Sequence, residues 1–164
     1  MKKIIITIDG PAASGKEKIA KYICKKFKYK HLDSGVLYRK IAYILIKQKI
    51  NLTSKHKIRK IVNNQKVMSF KNSSKLRSEQ VSKAASKIAT YPFIRNYINK
   101  LQRNFVNFDL KNLKFVVDGR DIGSVVFKKA NLKLYIDVSE ENRAKRRYKQ
   151  LIDTGEKSIY PQIL

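Results

Sequence analysis

Short apolar runs alternate along this chain with longer stretches in which apolar residues recur every three or four positions. KIIITI, residues 3–8, is a continuous β-branched run, as expected of a central parallel strand covered on both faces. After a glycine-containing loop, Lys16 to Phe27 carries Ile19, Ala20, Ile23 and Phe27 at helical spacing. In HLDSGVLYRKIAYILIKQK, the positions Val36, Leu37, Ile41, Ile44 and Leu45 follow a 3.6-residue period from a cap at Asp33 or Ser34. Residues 51–74 are polar, basic and weakly patterned, and are expected to form a peripheral excursion with a short helix and one strand near Lys66 to Phe70. SEQVSKAASKIA and FIRNYINKLQRNFVNF predict two further helices, with Pro92 at the boundary. KFVVDGRD (114–121) and LKLYIDVS (132–139) read as two more buried strands, and ENRAKRRYKQLIDTG as a strongly basic helix ending near Gly155. Strands alternating with helices predict an α/β domain, a parallel sheet wrapped by helices, whose ligands bind beyond the carboxyl ends of the strands. Asp9, Asp118, Gly119 and Asp137 fall at those ends.

Composition narrows this further. At 164 residues and 43% hydrophobic content, the chain is long enough for one domain with a real core. A formal charge of +26 would ordinarily point to a polyanionic partner. Here the charge runs from Lys2 to Lys157 without a dense block, alongside abundant Ile and Asn. It reads mainly as a compositional bias toward lysine, and nucleic acid is expected to bind only non-specifically. Cys24 is the only cysteine, so no intramolecular disulfide forms; its place on a helix fits buried filler, and a reducing compartment is expected. The apolar run after Lys2 and Lys3 is too short for a signal peptide, which needs ~7 to 15 residues. No segment approaches the roughly 18 apolar residues of a membrane span. A cytoplasmic monomer without a membrane partner is therefore expected.

The loop between the first strand and helix carries chemistry. In Gly10, Pro11, Ala12, Ala13, Ser14, Gly15 and Lys16 the two glycines frame a turn whose backbone N–H groups, with the following helix N-terminus, form an anion cradle. Lys16 would reach the β- and γ-phosphates of a nucleoside triphosphate. Glu17 stands where such loops carry Ser or Thr to hold Mg²⁺. It either turns outward as a helix-start acid or approaches the metal directly, and Lys18 partly offsets its charge. The metal ligands are not legible.

Arginine usage is an independent sign. Of the 38 basic residues nine are arginine, and seven of these fall in motif-bearing segments: Arg39, Arg77, Arg95, Arg120, Arg143, Arg146 and Arg147. A planar fork binds phosphate or a base edge bidentately, as lysine cannot. GPAASGK, HLDSGVLYR, SEQVSKAASKIATYPFIR, VVDGRDIGSVVFKKA and SEENRAKRR, in this order, resemble the motifs of the bacterial cytidylate kinases over nearly the whole chain. The resemblance implies a three-layer P-loop NTPase fold with a parallel five-stranded sheet, a helical monophosphate-binding insertion and an arginine-rich lid. On this reading the chain is one (d)CMP kinase domain with its core at 1–50 and 113–138, the insertion at about 51–112 and the lid start at about 139–164.

The resemblance assigns Ser34, Tyr38, Arg39 and Arg120 to the acceptor nucleotide's phosphate, and Ser86, Arg95 and Asp121 to cytosine. The chemistry agrees, because a carboxylate accepts from the N4 amino group of cytosine while Arg and Ser donate to N3 and O2. Each also has a plainer reading: Ser34 as a helix cap, Ser86 as a small packing residue, Tyr38 as a core aromatic, Asp121 as a partner for Arg120. Arg143, Arg146 and Arg147 resemble the start of the lid and, at i, i+3 and i+4, share a helix face. The implied activity moves the γ-phosphoryl group of ATP onto CMP or dCMP with Mg²⁺, with Lys16, Arg120 and the three lid arginines carrying the catalysis.

Three features depart from the family pattern: Glu17 with Lys18, a shortened segment from Asn63 to Ser74, and a chain ending at Leu164 before the rest of the lid and the last strand and helix. A fragment or truncated product, lacking the last strand, is expected. Another small-molecule P-loop kinase, or a non-catalytic basic nucleotide- or RNA-binding protein, is the competing reading.

Overall fold

The computed structural model describes residues 2–64, 67 and 73–153. Strand β1, Ile4–Asp9, leads through the glycine loop into helix α1, Lys16–Phe27. Strand β2, Lys30–Asp33, runs directly into α2, Ser34–Lys47. Helices α3, Lys55–Asn64, α4, Glu79–Ala89, and α5, Pro92–Asn107, follow, with a short 3₁₀ turn at Ser74–Arg77. Strand β3, Lys114–Gly119, a π-helical turn at Ile122–Val126, strand β4, Leu132–Tyr135, and helix α6, Glu140–Asp153, complete the described chain.

The four strands are all parallel, in the order β2-β3-β1-β4. Alternation along them builds three layers. Ile6, Ile8 and Val116 face α1 and pack with Ala20. Leu32, Phe115 and Val117 face the helical layer, where Leu37, Ile41, Ile58, Val81, Ile88, Ile94 and Ile98 complete the larger core. The same parity sends Asp118 toward α1 and Asp9 toward the π turn, so the faces of the sheet sort the acids at its carboxyl edge.

Local chemistry fixes the helix starts. Asp33 caps α2 by accepting from the Val36 amide at 3.1 Å, and Ser78 caps α4 by accepting from the Val81 amide at 3.3 Å. Pro92 opens α5, where its missing N–H is no loss. At the other end of α5, the Lys3 ammonium donates to the carbonyls of Val106, Asn107 and Asp109, complementing the negative end of the helix.

Two sequence expectations need correcting. β2 is a strand that periodicity missed, because KHLD holds one buried apolar residue, Leu32. β4 is not buried: it pairs only with β1 among the described strands, and its Leu132 and Tyr135 are 47% and 68% exposed. Cys24 is half-buried beside the smaller core. The strand expected near Lys66 to Phe70 and the helix end near Gly155 lie outside the described residues, Val67 excepted.

Candidate nucleotide site

The loop after β1 crosses the carboxyl edge of the sheet in a conformation that few residues tolerate. Gly15 has φ 97° and Ala13 φ 58°, both left-handed. A Cβ at Gly10 would sit 2.4 Å from the Ile136 carbonyl oxygen, so that glycine permits the close approach of the chain beyond β4. Lys16 folds back over the loop and donates to the Pro11 carbonyl at 2.6 Å and to Ser14 Oγ at 3.4 Å. Burial pushes its ammonium below the ordinary value; Asp118 opposes this, Arg120 adds to it, and Asp33 and Asp9 oppose it further.

Asp118 ends the buried part of β3, and burial raises its carboxyl above the ordinary range, against the His31 hydrogen bond at 2.6 Å. Asp9 has a different task. Its two carboxylate oxygens accept from the amides of Ile122 at 2.7 Å and Gly123 at 2.8 Å, pinning the π turn to β1. That pin holds the segment bearing Arg120 and Asp121. Arg103, from α5, secures the far end of the turn by donating to the Val126 and Val125 carbonyls.

Around the start of α2, Arg39 Nη2 donates to Asp33 at 3.0 Å, and its Nε is buried without a partner among the described residues. Ser34 accepts from the Gln102 side-chain amide at 3.0 Å. Arg95 on α5 pairs with Asp121, and both bear on Tyr38, whose phenol is raised by burial and by Asp121 against Arg95. Asp121 therefore partners Arg95, not Arg120 as the plainer reading had it. Ser86 is exposed on α4, with no bond to the Arg95–Asp121 pair.

The lid arginines divide. Arg146 Nη1 donates to the Ser14 carbonyl at 2.9 Å and reaches the Ala13 carbonyl at 3.5 Å, directly over the loop. Arg143 turns to the Val138 carbonyl and lies 3.4 Å from Glu140. Arg147 bears on Glu79 at the start of α4. Sharing a helix face does not bring all three to one spot.

Glu17 turns to the insertion side of α1, where it lines a cavity with Asp33, Arg39 and Arg77. Its Oε1 lies 2.7 Å from Arg77 and 2.8 Å from Lys21. Burial alone would raise its carboxyl, but the hydrogen bonds from Lys21 and Arg77 win and hold it at about 2. Sequence reasoning gave no role to Gln102, placed Asp9 at a ligand-side strand end without its bonds to the π turn, and did not pair Arg77 with Glu17.

A parallel sheet, a glycine loop leading into a helix, and cations gathered at the strands' carboxyl ends define a P-loop nucleotide-handling protein. The family model described as "Cytidylate kinase" matches residues 6–164. The cytidylate kinase of Fusobacterium nucleatum is 36% identical over 173 residues, covering 100% of this chain and 78% of the relative. Those of Bartonella bacilliformis and Bartonella tribocorum are 38% and 40% identical, each covering 100% of this chain and 74% of the relative. A solved structure, that of TT1252 from Thermus thermophilus, matches 99% of the chain at 13% identity and a TM-score of 0.48, too distant to bear on fold or function. The chain belongs to the cytidylate kinase family.

Proposed function

We propose that this protein transfers the γ-phosphoryl group of ATP to CMP or dCMP, giving the nucleoside diphosphate and ADP. The observation that carries the reading is the loop from Gly10 to Lys16 at the carboxyl edge of the sheet, with Ala13 and Gly15 in left-handed backbone, Lys16 folded over it and Arg146 seated on its Ser14 carbonyl. The loop from Gly10 to Lys18 holds the donor's phosphates through its amides, and Lys16 exchanges its bonds to Pro11 and Ser14 for phosphate oxygens. Arg39, with its unpartnered buried Nε, joins Ser34, Tyr38 and Arg120 on the acceptor phosphate. Ser86, Arg95 and Asp121 read cytosine; an ionised Asp121 accepts from the N4 amino group and repels the O4 of uracil.

In the reaction an acceptor phosphate oxygen bonds to the γ-phosphorus as the bond to the β-bridging oxygen breaks, and ADP leaves with that electron pair. Arg120 and Arg146 neutralise charge on the moving group, Arg143 and Arg147 join them once they leave Val138 and Glu79, and α6 excludes water. Among the described residues no three His, Cys, Asp or Glu side chains gather as a metal cage. Mg²⁺ does not need one, since it keeps its waters and takes one or two carboxylates plus substrate phosphates. Asp118, within electrostatic reach of Lys16, is the carboxylate that would hold it, and the ion would offset charge on the β- and γ-oxygens. We further propose the core, insertion and lid at about the bounds given above, a monomeric state and a cytoplasmic setting. No helix among the described residues is long and apolar enough to cross a membrane.

ADP production with CMP, dCMP, UMP and AMP as acceptors tests the proposal. CMP-dependent turnover should exceed that with UMP, and Arg120→Ala should lower kcat/KM about a hundredfold or more, as loss of a charge-stabilising donor does. Equal turnover of UMP and CMP would remove the cytosine assignment, and an unaffected Arg120→Ala the catalytic one.

A further inference from the structure

Four residues on one row of α5, Ile94, Ile98, Gln102 and Val106, are spaced four apart and point into the core. Three are apolar and fully buried, and the fourth is an amide at 1% exposure. A side-chain amide in such a position is unfavourable unless both its ends are bonded, because each unmet polar group keeps its desolvation cost. Gln102 meets only one. Its Nε2 donates to Ser34 Oγ at 3.0 Å, and its Oε1 is buried without a partner among the described residues. Leucine would fill this row at lower cost, so stability does not account for the amide.

Its one bond does account for it. Ser34 is itself 4% exposed, and a Cβ on Gly119 would stand 3.1 Å from the Ser34 Cβ, so this side chain is hemmed in at the junction of β2, α2 and β3. A serine hydroxyl has one proton and two lone pairs. With Gln102 donating into one lone pair, the proton of Ser34 remains for an acceptor atom outside the pair. We infer that Gln102 is a positioning residue for CMP binding: its amide N–H fixes the Ser34 hydroxyl as a donor to the acceptor's phosphate. This rests on the reading of Ser34 as a phosphate contact.

Calorimetric titration of CMP and, separately, of ATP into wild type, Gln102→Leu, Gln102→Glu, Ser34→Ala and the Gln102→Leu/Ser34→Ala double variant tests it, with thermal unfolding in parallel. Gln102→Leu should weaken CMP roughly five- to tenfold, the size of one hydrogen bond, while ATP affinity holds and Tm moves little, because relief of the unmet Oε1 offsets the partner that buried Ser34 loses. Gln102→Glu should be worse and deteriorate with rising pH, because an ionised carboxylate takes the Ser34 proton for itself. In the Ser34→Ala background, Gln102→Leu should have no further effect. Should Gln102→Leu fail to fold, Gln102→Met, which also fills the volume without a donor, replaces it. Wild-type CMP affinity in Gln102→Leu or Gln102→Glu, with Ser34→Ala impaired, overturns the inference alone. Unchanged CMP affinity in Ser34→Ala overturns the phosphate contact and the inference with it, and equal losses for CMP and ATP mark a structural role.

Discussion

Glu17 follows the phosphate-facing lysine, where an unpaired carboxylate would repel a polyphosphate. The protein resolves this by pairing it with two cations, Arg77 from the 3₁₀ turn and Lys21 one turn along α1. The negative charge is thereby spent between α1 and the acceptor-side insertion, and it ties the two together. The sign of its pH dependence follows from a folded carboxyl held at about 2, below the ordinary 4.5. Its contribution is complete above pH 4.5 and disappears as pH falls through 2. Because Arg77 is about half exposed, solvent screening reduces the pair well below the full value of the shift, to about 1 kcal/mol. Urea unfolding should therefore find Glu17→Gln less stable than wild type by about that amount at pH 7, with the gap narrowing between pH 5 and 3. A gap that stays constant or widens on acidification would show that Glu17 is not paired as described.

At the scale of elements, α6 is already seated on the phosphate loop through Arg146, which holds the Ser14 and Ala13 carbonyls. A bound triphosphate competes for the same guanidinium. Arg146→Ala should therefore speed hydrogen exchange at the loop amides of residues 13–15 in the free protein and also weaken ATP about tenfold, with CMP affinity unchanged. Faster exchange without ATP loss would confine Arg146 to a structural clasp. Which elements were legible in the sequence follows from their periodicity. α1, α4, α5 and α6 each carry a long enough apolar or charged rhythm, and β1 and β3 are continuous β-branched runs covered on both faces. β2 has only Leu32 to announce it, and the exposure of β4 depends on strand order, which no local pattern encodes. The π turn at Ile122–Val126 rests on Asp9, 113 positions away from its Ile122 partner. Within the site, arginines and glycines were visible because their chemistry is unusual in a lysine-rich chain. Gln102 was visible only in retrospect, as the one polar member of an apolar row.

For the molecule as a whole, the question is what +26 does beyond the site. Positive charges far from the strand ends act through solvent, and at physiological ionic strength their reach is about 8 Å. They concentrate nucleotides and nucleic acids near the surface without selecting among them. A dedicated single-strand binder pairs its charge with open aromatic faces on which bases stack. Here lysines lie over several rings, Lys26 over both Tyr22 and Phe27, Lys30 over Phe105 and Lys114 over Tyr29, while Phe108 and Tyr135 stay open but lie on separate elements. Cations laid across these rings favour a general attraction for polyanions over base recognition. Binding of poly(U), followed by fluorescence anisotropy, should accordingly be measurable near 50 mM salt and fall by about a thousandfold or more by 200 mM, as counterion release dictates for several phosphate contacts. CMP affinity should change far less over the same range, because Arg39 and Arg120 act on one phosphate at short range. RNA binding that survives high salt and is displaced by CMP would reverse this ordering and make nucleic acid a ligand of the site itself.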